Sequence, residues 1–366
     1  MVTSGIFGEN THFDPRLYVR KNEVIDLSDP TVTCKSWIDS PIDLHVHIGA
    51  FIGDKMLICG GALDAYEIDN SQDFPELYVK KFHSSFFDKC YAMTPSNVTQ
   101  ISGLIHMKCD FGITEEHDCA AGVINNSLFV TSGLVPRYYD WNTFEETFEE
   151  WQKATGHTPS NGKITEYVTE HSTERGPDIP TFASAECFIG INDTHSMFVG
   201  GRYELMKSSR YFNNVSQTWS DGPKLNDNHV GHACGKFKID GKMVLVVASS
   251  RLTYKYPRKF EKPYSVEFLP IDDGREWVPG PSLPEATLKG SLPFDIDIPY
   301  YISPYIVSNE DNLYFIDTDQ NVILRLDCPS DLSSCQWIKM QQKLEFPRRR
   351  GVVALIPDSM TSCEKK

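Results

Sequence analysis

One unit recurs along this chain: an apolar run, a short polar turn, and a second apolar run closing on two small residues. The clearest copies are Ala50–Gly61 (AFIGDKMLICGG), Ala120–Gly133 (AAGVINNSLFVTSG) and Phe188–Gly201 (FIGINDTHSMFVGG). Weaker copies are Phe237–Ser250 and Tyr305–Thr318. Asn, Asp and Gly hold the turns because they adopt positive φ at little cost. A sixth copy is divided between the chain ends, with Gly351–Ile356 supplying one strand and the opening residues from Val2 the other. No such hairpin buries both of its faces alone, so the copies must stack into one all-β assembly.

The spacing between copies leaves room for two more strands in each. Leu17–Leu27 is an extended run leading to Trp37, and Trp219, Trp277 and Trp337 end comparable stretches. A tryptophan on an outer strand presents a large apolar face to the neighbouring sheet. Apolar strand, turn, apolar strand closing on Gly-Gly, extended strand and tryptophan strand together resemble the kelch repeat. The best match is Met197–Arg202 followed by Trp219–Leu225, with Lys89–Tyr91 at the third-strand position of an earlier copy.

The resemblance implies a six-bladed β-propeller of four-stranded antiparallel blades forming a single domain over residues 1–366. Its first blade is shared by residues 1–40 and 348–357. Pairing Gly351–Ile356 with the strand beginning at Val2 would close the ring and remove two exposed sheet edges. The segment 137–163 reads as an insertion carrying a short helix. Thr143 and Glu146 form a capping box there, and Phe144, Phe148 and Trp151 share one face.

Composition excludes several functions. The net charge of −15 argues against a general nucleic-acid binder, whose affinity comes from clustered Lys and Arg. No apolar run approaches the roughly 20 residues of a membrane helix. The opening residues MVTSGIFGEN lack the basic and apolar regions of a secretory leader. Ten cysteines point to an extracellular protein whose leader has been removed, whereas free thiols would fit the cytoplasm. Four N-x-S/T sequons begin at Asn97, Asn125, Asn192 and Asn214.

Catalytic signatures are weak. Phosphate-binding glycine loops, H-E-x-x-H and G-x-S-x-G are absent. His45 and His47 are spaced to share a strand face without a fixed third ligand. Asp272–Trp277 contains D-x-G-x-x-W, the end of an Asp-box, but Pro270 replaces the hydroxyl residue and no second copy exists. Cys90 and Tyr91 are adjacent, so they face opposite sides of a strand and cannot form the Cys–Tyr crosslink of copper oxidases.

Cys328 with Cys335, and Cys59 with Cys90, are placed to bridge neighbouring strands. Cys119, Cys187 and Cys234 precede successive hairpin turns. They read as small core side chains, with a soft-metal cluster near His117 and His232 as the alternative.

Propellers bind through the rim where the second-to-third and fourth-to-first strand connections emerge. Arg137, Arg202 and Arg251 follow the small-residue ends of three second strands, and Arg348, Arg349 and Arg350 precede an innermost one. Tyr138, Tyr139 and Tyr203 stand beside them. Arginine forks suit carboxylates, so this ring points to an acidic protein or peptide partner. The leading expectation is a non-enzymatic, monomeric interaction module without cofactor. The alternative is a propeller enzyme, either a metal-dependent oxidase or a glycan hydrolase, with its site at the channel mouth.

Overall fold

The computed structural model describes residues 5–6, 18–19, 21–40, 48–60, 62–68, 79–86, 89–105, 119–131, 164–181, 186–201, 205–248, 264–272, 275–284, 304–309, 311–318, 320–345 and 352–365. Strands β1 (Gly5–Ile6) and β2 (Tyr18–Val19) form a short antiparallel pair, and β3 (Val32–Cys34) follows. Sheet I then begins with β4 (Ile48–Ile52) and β5 (Lys55–Cys59). The ribbon β6 (Ala62–Ile68) and β7 (Val79–Phe86) intervenes before β8 (Cys90–Met93) and β9 (Val98–Ile101) complete that sheet.

Sheet II is β10 (Ala120–Ile124), β11 (Ser127–Thr131), β12 (Thr165–Val168) and β13 (Thr173–Arg175). Sheet III is β14 (Cys187–Gly190), β15 (His195–Val199), β16 (Ser209–Asn213) and β17 (Thr218–Asp221). Sheet IV is β18 (Ala233–Ile239), β19 (Lys242–Ala248), β20 (Val266–Pro270) and β21 (Val278–Pro279). Sheet V is β22 (Pro304–Ser308), β23 (Leu313–Asp317), β24 (Val322–Asp327) and β25 (Gln336–Lys339). Last comes β26 (Cys363–Lys365), antiparallel to β3.

Five antiparallel four-stranded blades, rather than the expected six, are present among the described residues. The innermost strands of successive blades lie side by side, as in a propeller. Beyond its turn-side end each second strand is buried because its sheet is covered on both faces; Leu128–Val130, Met197–Val199 and Leu245–Val247 are the clearest cases. Between sheets II and III an aromatic core gathers Phe129, Phe188, Phe198, Phe212 and Trp219. Gly122 makes room for it, since a Cβ there would stand 1.6 Å from the Phe188 ring.

Two outer tryptophans tie sheets IV and V each to the preceding blade. Trp277 Nε1 donates to the Pro223 carbonyl (3.1 Å) and Trp337 Nε1 to the Pro281 carbonyl (2.8 Å). Both prolines follow glycines whose amides bond their own third strands, Gly222 to Ser209 and Gly280 to Val266. Trp277 lies just before β21 rather than within it.

The region expected to be a sixth blade is differently built. Residues 352–356 alternate between two cores. Val352, Ala354 and Ile356 pack with Val24, Trp37, Met56 and Ile58, while Val353 and Leu355 pack against Ile316 and Ile323 of sheet V. The segment thus lies between sheets V and I. The named pairing with the strand from Val2 falls on residues 1–4 and so outside the described residues, as does the expected helix of 137–163. Instead, Cys363–Lys365 pairs with Val32–Cys34, and a Cys34–Cys363 disulfide joins them. Three-residue strands carry no periodic pattern, so this junction was not visible in the sequence. Among the described residues no helix is long and apolar enough to cross a membrane.

Candidate partner-binding rim

The two rims differ in construction. Every first-to-second connection is a tight turn, with positive φ at Gly53, Asn125, Asn126, Asp240 and Gly241, as are the third-to-fourth connections of sheets I, II and III; those of sheets IV and V run over residues 271–277 and 328–335. Second-to-third connections on the opposite rim run over residues 60–89, 132–164, 200–208 and 249–265, with only 318–321 short. The β6–β7 ribbon leaves and rejoins sheet I there, directly after β5 and directly before β8.

A buried polar layer underlies this second rim. Phe198, Val130 and Val247 are each one residue in from the rim end of a second strand, and their third-strand partners are Arg210, Glu166 and Glu267. Each of these three charged side chains reaches the connection leaving the preceding sheet. Glu166 accepts the Ile105 amide at 3.2 Å. Glu267 accepts the amides of Asn226 and Asp227, both at 2.8 Å, and the His229 ring at 3.1 Å. Arg210 instead donates to Glu186 and Thr181, and both ion-pair side chains are almost fully buried.

Burial sets the titration of this layer. It pushes the Glu186 carboxyl up to about 7, against the lowering influence of Arg210. Burial also raises Glu267, but its His229 and backbone hydrogen bonds outweigh that effect and hold it below the usual carboxylate range. His232 is held well below an ordinary histidine, first by burial and then by repulsion from His229, whose ring lies 5.4 Å away.

These histidines explain the double glycine. Gly200 (φ +64°) and Gly201 (φ +122°) carry the chain over them, and the Gly201 amide bonds the His229 carbonyl at 2.9 Å. A Cβ on Gly200 would stand 2.4 Å from the His232 ring. Any side chain there meets both a clash and a strained backbone.

Arg137, Arg202, Tyr203, Arg251, Arg348, Arg349 and Arg350 all lie outside the described residues, as do Tyr138, Tyr139, His45, His47 and His117. Lys89, Lys207 and Lys224, which the arginine pattern missed, are exposed on connections of this rim, as is the acidic Asp178. The Arg210–Glu186 pair was also missed, since each alone reads as a surface charge. Only the recurrence of charge beside the small-residue ends could have revealed it.

The described cysteines are bonded rather than ligating. Cys59–Cys90 joins β5 to β8, and Cys328–Cys335 spans the third-to-fourth connection of sheet V. Cys187–Cys234 links the innermost strands of sheets III and IV, and Cys119 is disulfide-bonded too. Neither the core-thiol reading nor the soft-metal cluster therefore describes these three. Among the described residues no group of three or more His, Cys, Asp or Glu is placed to hold a metal ion.

No family model and no curated protein matches this sequence. A solved structure titled "Structure of YjhT" is similar at 10% sequence identity and a TM-score of 0.49, covering 85% of this chain and 95% of that one.

Proposed function

We propose that the chain is a non-enzymatic interaction propeller of kelch type that holds an acidic segment of a protein partner on its long-connection rim. The carrying observation is the asymmetry between rims: one is built mostly of short turns, the other mostly of longer connections braced by buried hydrogen bonds. Loops positioned by a rigid scaffold are where binding function concentrates. Arg137, Arg202, Tyr203, Arg251 and Arg348–Arg350 belong by chain position to those connections and supply the guanidinium forks and an aromatic anchor. In this reading residues 352–356, Trp37 and the β3–β26 pair form a reduced sixth blade.

Fluorescence anisotropy with labelled Asp/Glu-rich peptides tests the proposal on the full chain. Replacing Arg202 and Arg349 together by Ala is expected to weaken binding at least about tenfold and flatten its salt dependence. Lys242→Ala, on the opposite rim, is expected to leave binding unchanged. Equal affinity in the double variant, or no binding of any acidic peptide, overturns the reading.

A further inference from the structure

We propose that Asn97, Asn125 and Asn192 are N-glycosylation sites, that the fourth sequon at Asn214 is not, and that the resulting glycans cover the tight-turn rim alone. All four sequons fall on hairpin turns. Asn97 is in the β8–β9 turn, Asn125 in β10–β11, Asn192 in β14–β15 and Asn214 in β16–β17. These are third-to-fourth or first-to-second connections of sheets I, II and III, and contacts between the sheets place them on one rim. Lys55, at the first turn of sheet I, pairs with Glu170 at the last turn of sheet II. Gly122 and Val123 of β10 lie beside Phe188 and Gly190 of β14, so these strands run the same way and their turns emerge together. The long connections of the opposite rim contain more residues than these turns, yet none of the sequons.

The acceptor atom is presented differently at the four sites. Asn97, Asn125 and Asn192 are exposed. At Asn97 the amide already faces the hydroxyl of its own sequon, with Nδ2 donating to Thr99 Oγ1 at 3.3 Å. At Asn192 the turn is held through Oδ1, which accepts from the amides of Thr194 and His195. Asn214 is only 5% exposed. Its Oδ1 accepts from Ser196 at 3.0 Å, and its Nδ2 donates to the carbonyls of Asn192 and Asp193. A sugar on that nitrogen would remove a proton the turn uses and would need space the core occupies.

The disulfides independently supply the compartment. Among the described residues no cysteine is free, a state the reducing cytosol does not sustain but the secretory lumen does. There the donor is an oligosaccharide carried on a lipid pyrophosphate. The Asn Nδ2–C1 bond forms as the C1–O bond to pyrophosphate breaks. The lipid pyrophosphate leaves with the bonding electron pair, and the amide proton passes to the transferase. A large, mobile glycan on each of three neighbouring sheets would keep partners off the turn rim.

Two measurements test this. The protein isolated from its own organism should gain electrophoretic mobility on treatment with peptide N-glycosidase; no shift overturns the proposal. Enzymatic release in ¹⁸O water followed by peptide mass spectrometry, on the full chain secreted from eukaryotic cells, should show labelled Asp at positions 97, 125 and 192 and unlabelled Asn at 214. Label at 214, or its absence at any of the other three positions, overturns it. The Thr99→Val, Ser127→Ala and Thr194→Val variants, which leave each Asn in place, should each remove one glycan without altering the disulfide map. Retention of the glycan in these variants also overturns it.

Discussion

Severing the Cys34–Cys363 bond with paired Ser substitutions should destabilise the protein more than severing any other described disulfide. The bridged residues are 329 apart in sequence, and cross-links over separations of 31, 47 and 7 residues shorten the effective loop. Loop-closure entropy for the remaining contour is worth about 5.5 kcal/mol, whereas the Cys328–Cys335 loop of separation 7 is worth about 2.4 kcal/mol. The two bonds are matched controls, because their Cα atoms are 3.9 Å and 4.0 Å apart and both join neighbouring strand ends. With an unfolding entropy of about 2.1 cal/mol/K per residue, these values correspond to Tm losses of about 7 °C and 3 °C. Calorimetry of both double variants under non-oxidising, non-reducing conditions measures the difference, and urea titration checks it at equilibrium. Equal losses, or a larger loss for Cys328–Cys335, would refute the reasoning. Such a result would mean that packing around Trp37 and residues 352–356 holds the chain ends together when the bond is gone.

Three further outcomes follow from the buried layer and the core. The folded protein holds the Glu186 proton more tightly than the unfolded chain, so Glu186 lowers stability progressively as pH rises from its ordinary 4.5 to about 7. Glu186→Gln should abolish that decline in urea midpoints recorded across this range. The neutral state of His232 acts oppositely: its contribution is present above pH 6.5 and lost as pH falls below it, so His232→Leu should make the protein less acid-sensitive. Gly122→Ala, which must displace Phe188, should cost about 1–3 kcal/mol and weaken the near-ultraviolet circular dichroism of the aromatic core; an unchanged spectrum would show that the ring moves freely.

The hairpins were legible because their signal is local. Two apolar runs around Asn-Asn or Asp-Gly specify register within a dozen residues, as at Asn125–Asn126 and Asp240–Gly241. The pairing of Cys59 with Cys90 was accessible for the same reason once the strands were assigned. Relations between sheets were not. Cys187 and Cys234 come together only because the innermost strands of sheets III and IV are neighbours, and Glu186 meets Arg210 only when the chain re-enters sheet III. The sixth-blade expectation failed where the repeat had eroded most: residues 352–356 keep the alternation of a strand, but no four-stranded sheet forms around them among the described residues. The β6–β7 ribbon was missed because its sequence does not match the recurring unit.

The charged residues of the third strands also fix the sequence in which sheets can follow one another. The connection leaving sheet II offers a carboxylate and a hydroxyl, which Arg210 of sheet III satisfies. Those leaving sheets I and III offer N–H donors, which Glu166 and Glu267 satisfy. If sheets III and IV exchanged places, Glu267 would confront Glu186, and Arg210 would point its guanidinium at amides with nothing to accept it. Sheets of nearly identical shape are therefore not interchangeable parts, and a recombined chain with blades duplicated, deleted or shuffled at this point would bury unmatched charge.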